Sequence, residues 1–313
     1  MSPRPTSPRP TLGVSLYSYG GDYLVTMTLE DCLADVADMG ATDVEILSDT
    51  HIPGYPNPDP AWIDHWHSLL ERYRLTPTCY SSWLDTRLYR DRGLEAAEAQ
   101  AILLRDVELA HRLGFRIVRP KIGVVSLDLA PDPIWRETVL GVLPKAEELD
   151  VRIAPEIHAP TPIRSAVVEG YLELVRETGT DHFGLLIDTG IFQAAERTAT
   201  HSDAVYVFGD PEPALRERVE REMRKPLAVD PRELADVLPY VVHVHAKFWE
   251  MTDMLTDPHI PYAEIVTVLL EGGYTGSLSS EYEGARDLYR ASDMLRRQQT
   301  MLRTLLDRGG EDG

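Results

Sequence analysis

Tyr240-Val-Val-His-Val-His-Ala-Lys-Phe248 is a β-rich run, and Tyr262-Ala-Glu-Ile-Val-Thr-Val-Leu-Leu-Glu271 after it has the periodicity of a buried helix. Gly276-Ser-Leu-Ser-Ser-Glu-Tyr282 then reads as a second strand, and residues 287–306 as a second amphipathic helix. The same unit recurs upstream. Strands are predicted at 12–19, 43–47, 75–83, 115–122, 151–158 and 183–189. Helices are predicted from Thr28 to Met39 and at 60–74, 94–113, 132–149 and 165–178, with Gly40 and Gly114 as left-handed stops. An irregular, charge-rich stretch at 191–229, helical near 213–224, precedes the resumption at 231–237.

Strictly alternating strands and helices imply a parallel sheet, and eight such units in 313 residues favour one closed (β/α)8 TIM barrel. An open doubly wound sheet is the alternative, but no Gly-x-Gly-x-x-Gly follows the first strand. The barrel is expected over 12–307, with its insertion after the sixth strand. Ser2-Pro-Arg-Pro-Thr6 repeats at 7–11, so residues 1–11 are expected to be a disordered, Pro-rich tail, and 308–313 a frayed end.

The formal net charge of -20 opposes nucleic acid and anionic membrane surfaces as partners and leaves small neutral or cationic molecules favoured. No apolar run approaches the roughly 20 residues that a bilayer requires, and the N-terminus lacks a secretory core. Cys32 and Cys79, the only two cysteines, read as buried reduced thiols, which points to the cytoplasm.

Active sites of such barrels lie at the C-terminal ends of the strands, so the polar residues there carry the functional reading. The fifth strand ends in Glu156 and His158, on one face by the two-residue period. The sixth ends in Asp188, the seventh carries His243, His245 and Lys247 on one face, and the eighth carries Glu281 and Glu283. Taken singly, each carboxylate is more often a helix cap or salt-bridge partner, and His243 a core residue. Four consecutive strands agreeing is different, because buried carboxylates need a cation. Glu156, Asp188, His245 and Glu281 are therefore predicted metal ligands, an oxygen-rich set suited to Mn²⁺, Mg²⁺ or Co²⁺. His158 is the predicted general base, with Lys247 acting on a substrate oxygen. Arg119 and Lys121, at the end of the fourth strand, are predicted substrate contacts or salt-bridge partners. Glu45 is placed to hold a ligand, and His243, Glu45, Glu283, Phe192 and Trp249 are predicted to line the substrate, with core packing the other reading for the two aromatic residues. His65 and His67 point different ways on a helix and are set aside, as is His51 before its Pro-rich loop.

Those four ligands, at the ends of strands five to eight, resemble the xylose-isomerase-like TIM barrels over about 12–307. That superfamily includes sugar isomerases and epimerases, inosose dehydratases and endonuclease IV. The trinuclear zinc centre of endonuclease IV needs histidines that are not placed here. Ketose 3-epimerases look for a histidine where this chain has Ile191, and for a glutamate where it has His158. Arg119-Pro-Lys-Ile-Gly123, Pro155-Glu-Ile-His158, Asp188-Thr-Gly-Ile-Phe-Gln193 and His243-Val-His-Ala-Lys-Phe-Trp-Glu-Met251 are more similar to the α subunits of bacterial C-glycoside deglycosidases. That resemblance implies a lyase that removes the C2 proton of a 3-oxo-glucoside and eliminates the aglycone. It also implies a smaller β-rich partner subunit, for which 191–229 and the loop 51–62 with Trp62 are the docking candidates. An isomerase or epimerase of free ketoses is the alternative, and a non-catalytic sugar-binding protein a third reading.

Overall fold

The computed structural model describes residues 9–84, 92–120, 132–197, 221, 224–227 and 229–309. Among the described residues nine strands, all parallel, form one curled sheet in the order β5-β4-β3-β2-β1-β9-β8-β7-β6. They are β1 (Thr11–Ser15), β2 (Asp43–Leu47), β3 (Thr76–Ser82), β4 (Ile117–Pro120), β5 (Arg152–Ile153), β6 (Glu156–Ile157), β7 (Leu185–Asp188), β8 (Val241–Phe248) and β9 (Ser277–Tyr282). β5 and β6 are two halves of the fifth passage. On one side Ala154 N donates to Val118 O (2.9 Å), and on the other Ile153 N donates to His182 O (2.8 Å) and Leu186 N to Pro155 O (3.2 Å). That passage therefore bonds both neighbours and closes the ring, giving the TIM barrel with its eight strand positions.

Two strands differ from the sequence reading by more than one or two residues at an end. The fifth strand was expected unbroken over 151–158, yet Pro155 has no N–H to give the ladder and splits it. The first was expected to reach Tyr19, but the ladder stops at Ser15 and Leu16–Tyr19 turns as a 3₁₀ segment. Its apolar residues continue past the ladder because Leu16 and Tyr19 are buried in the large core, where Tyr19 OH donates to Asp35 Oδ2 (2.8 Å), while Ser18 Oγ accepts from Tyr282 N (2.9 Å).

The helices follow local signals. Thr28 and Asp31 form a capping box at the start of Leu29–Asp38, and Gly40 closes that unit at φ +81°. Asp59 caps Pro60–Tyr73, and Ser165 caps Ala166–Thr178. Their apolar faces and the outward faces of the strands share one large core, with Trp66, Tyr80 and Phe115 among its buried rings. Cys79, Ile117, Ala154 and Leu186 form a separate small cluster on the inward faces of successive strands. Cys32 and Cys79 are both free and buried, as expected.

Behind β2 the chain turns through the short helix Ser48–His51, and Leu47 N donates to His51 Nδ1 (3.0 Å). Burial pushes the His51 imidazole down to about 4. A folded value below the unfolded one, about 6.5, means the unfolded chain binds the extra proton first, so stability is lost as pH falls from neutrality towards 4. Urea unfolding at about pH 7.5 and about pH 5 should show wild type losing roughly 2 kcal/mol more than His51→Gln over that interval. Equal losses would mean that His51 is not held neutral by the fold.

Candidate metal centre

Strand period and register assemble the site. β8 alternation sets His243, His245 and Lys247 on its inward face, while parallel pairing brings Asp188 opposite His245 and Glu281 opposite Lys247. Glu156 starts β6, immediately after the proline break, opposite Leu186 of β7. Glu156, Asp188, His245 and Glu281 each offer a ligand atom, all within 4.8 Å of one another. The sequence-predicted set is thus brought together at one point.

Its electrostatics are those of crowded, buried carboxylates. His245 Nδ1 lies 2.7 Å from Glu156 Oε1 and 3.7 Å from Glu281 Oε2. Lys247 Nζ reaches Glu283 at 2.8 Å, Glu281 at 3.0 Å and Asp188 at 3.4 Å. The Arg119 guanidinium pairs with Glu156. Burial, aided by the charges of Glu156 and Glu281, pushes the Asp188 carboxyl up to about 7 against the pull of Lys247. Burial opposes the charged form of Glu156 too, but Arg119 and His245 outweigh it and hold that carboxyl well below its usual range. Lys247 is held protonated, its burial overcome by Asp188, Glu281 and Glu283.

Behind His245 stands Glu45, whose Oε2 lies 2.9 Å from His245 Nε2 while its Oε1 accepts from Ser81 Oγ (2.8 Å). A ligand imidazole whose second nitrogen donates to a carboxylate is fixed in tautomer and orientation. His243 Nε2 is 3.4 Å from the same Glu45 oxygen. His158 is half-buried, and its Nδ1 donates to Ala159 O (2.6 Å), which leaves Nε2 as the basic nitrogen. Glu283 is engaged by Lys247. Phe192 is buried in the core, and the indole of Trp249 is covered by the Arg197 guanidinium, 3.8 Å from the ring centroid. Lys121 lies outside the described residues. Sequence reasoning missed Cys79 and Ser81, which line the wall behind His245, and Tyr17, whose hydroxyl is pushed up by Glu283 and by burial. Tyr17 follows β1 in the strand-end position and was legible by the rule that found the others.

Three carboxylates and one imidazole, with no thiolate, fit a hard divalent cation. Barrel and centre together define an α/β-barrel protein of the metal-competent kind, with its acidic cluster at the strand ends. The chain belongs to the xylose isomerase-like TIM barrel family, whose model matches residues 33–305. It is 26% identical to a C-glycoside deglycosidase alpha subunit of Arthrobacter globiformis, across 95% of this chain and 92% of that one. It is also 26% identical to a 3'-dehydrocarminate deglycosidase alpha subunit of Microbacterium sp, across 88% of each. Among solved structures, an L-ribulose 3-epimerase superposes with a TM-score of 0.63 at 17% identity, covering 97% of this chain and 96% of that chain, which shows the shared fold. These relatives are sugar-modifying enzymes. Among the described residues no helix is long and apolar enough to cross a membrane.

In the absence of a divalent ion, Lys247 is the main counter-charge for three carboxylates. Lys247→Met should destabilise the chelator-treated protein by about 3–5 kcal/mol, the usual cost of stranding buried charge. Adding Mn²⁺ should recover more of the melting temperature in the variant than in wild type. Equal melting temperatures without metal would contradict this arrangement.

Proposed function

We propose that this chain is the metal-dependent catalytic subunit of a C-glycoside deglycosidase, cleaving the bond between C1 and the aglycone of a 3-oxo-glucoside. The observation that carries the reading is His158, two residues beyond Glu156, whose Nδ1 donates to Ala159 O, so that in the neutral ring Nε2 carries the basic lone pair. Glu156, Asp188, His245 and Glu281 would hold Mn²⁺, Mg²⁺ or Co²⁺, which when bound supplies Lewis acidity to neighbouring carbonyl and hydroxyl oxygens of a sugar. The C3 ketone makes the C2 hydrogen acidic, and His158 Nε2 removes it. The C2–H electron pair becomes the C1=C2 bond as the C1–aglycone bond breaks. The departing aglycone atom keeps the electron pair of the broken C1–aglycone bond and takes a proton, which the His158 imidazolium can return. No net oxidation occurs, so the reaction is that of a lyase acting on a ketone made by a separate oxidation. Arg119 favours the ionised form of Glu156 and Lys247 that of Glu283, and Tyr17 borders the same space.

Epimerisation of a free ketose begins with the same proton abstraction. Ile191, fully buried where those enzymes look for a histidine, speaks against it. The relatives' names make them alpha subunits, and for this chain we infer a smaller β-rich partner as well. Leu24, Val25, Met254, Leu288 and Tyr289, all exposed, sit on the loops after β1, β8 and β9, three adjacent strands, at the end of the barrel where the site lies, and offer apolar side chains to such a partner. Trp62, by contrast, stacks on Trp66 at 6.2 Å, and most of 198–228 lies outside the described residues. Two buried free thiols suit a cytoplasmic enzyme.

The test is co-expression with the protein encoded beside it, then product analysis on a 3-oxo-C-glucoside and on a free ketose. An unsaturated keto sugar and free aglycone are expected from the complex, with His158→Ala keeping its metal but losing about 10²- to 10⁴-fold in kcat. Interconversion of ketoses by the lone chain, without cleavage, would make it an epimerase. Normal turnover by His158→Ala would move the base elsewhere.

A further inference from the structure

Beneath the acidic rim, one layer deeper in the barrel, lies a second cluster of a different chemical kind. Glu45, Cys79, His243 and His245 each turn one ligand atom to a common point, all within 4.8 Å of one another. All four are sealed from solvent, none being more than 1% exposed. The fold brings them there by two local devices. A register shift between Val44 and Glu45 sets Cys79 directly opposite Glu45, and the strand period of β8 stacks His243 below His245.

His243 is the unexplained member. Among the described residues neither of its ring nitrogens meets hydrogen-bond geometry, although the ring is fully buried; its nearest partner is Glu45 Oε2, 3.4 Å from Nε2, a contact that helps hold the Glu45 carboxyl down. Buried polar side chains ordinarily have a partner, so an imidazole aimed into a pocket of donors calls for one. The Cys79 thiol interacts with the His245 ring on this side as well. Glu45 has only the two histidines as ion-pair partners among the described residues.

We propose that Glu45, Cys79, His243 and His245 Nε2 form a second metal seat, closed to solvent and suited to Zn²⁺, directly behind the rim centre. One sulfur, two imidazole nitrogens and one carboxylate oxygen make the four-donor tetrahedral set that zinc takes in structural sites. The thiolate sets it apart from the rim, whose oxygen donors favour harder ions. Zn²⁺ with one thiolate and one carboxylate is electrically neutral, which removes most of the penalty for placing an ion in a dry barrel interior. Binding displaces the Cys79 thiol proton to solvent, and the His245 Nε2 proton with it. His245 is common to both seats, and would offer Nε2 to this one and Nδ1 to the rim. This seat stands independently of the sugar reaction, because it depends on no substrate contact.

The experiment uses the full chain, stripped of metal and reloaded with Zn²⁺ or Co²⁺. Elemental analysis should find two equivalents per chain in wild type and one in Cys79→Ser. The Co²⁺-loaded protein should show a thiolate-to-cobalt charge-transfer band in the near ultraviolet, absent from Cys79→Ser. Asp188→Ala, which disables the rim alone, should keep one equivalent and the band. A single equivalent in wild type with no sulfur-to-cobalt band overturns the proposal, leaving Glu45 and His243 only to orient His245. Both wild-type readouts need no variant to fold and no turnover, so they stand or fall apart from the deglycosidase reading.

Discussion

His245 is clasped at both ring nitrogens by carboxylates, Glu156 Oε1 at 2.7 Å from Nδ1 and Glu45 Oε2 at 2.9 Å from Nε2, with essentially no exposure to water. Each carboxylate needs the imidazole's charge or a metal's, and the imidazole needs both oxygens to stay oriented. The neighbours are arranged around that constraint. Arg119 answers Glu156, Ser81 fixes the far oxygen of Glu45, and Lys247 bridges Asp188, Glu281 and Glu283. Every one of these groups stands on or beside a strand, so the barrel's closure is what holds them at fixed distances.

Closure itself depends on the fifth passage, where Pro155 splits the ladder just before Glu156. Pairing with β4 ends before the break and pairing with β7 resumes after it, at Glu156, which lies against both His245 and Arg119. A small apolar cluster, Cys79, Ile117, Ala154 and Leu186, fills the inward layer near this break. The polar floor behind His245 and the apolar patch beside it therefore share the same strands, which is how a hydrophobic barrel accommodates an ionic centre.

The fold and the rim were legible because they follow period and position. Glu156, Asp188, His245 and Glu281 sit at strand ends, and the two-residue period alone puts His245 and Lys247 on one face. What the sequence hid depended on register. Cys79 looks like any buried strand thiol until the shift between Val44 and Glu45 turns it towards His245. Tyr17 was read as part of a strand over 12–19, although the ladder ends at Ser15 and Leu16 and Tyr19 beyond it are buried in the large core. Phe192 and Trp249 carried an aromatic signal that core packing and the Arg197 contact account for equally well.

The central claim is that the four side chains at the strand ends are ligands of one divalent ion rather than a self-neutralised salt-bridge network. Anomalous diffraction at the manganese edge, from crystals grown with Mn²⁺, tests it directly. The account predicts a peak bonded to Glu156, Asp188 and Glu281 oxygens and to His245 Nδ1, at roughly the 2.0–2.2 Å typical of such ligands, with Lys247 withdrawn from Asp188. No peak at that point, with Lys247 still bridging the three carboxylates, would contradict it.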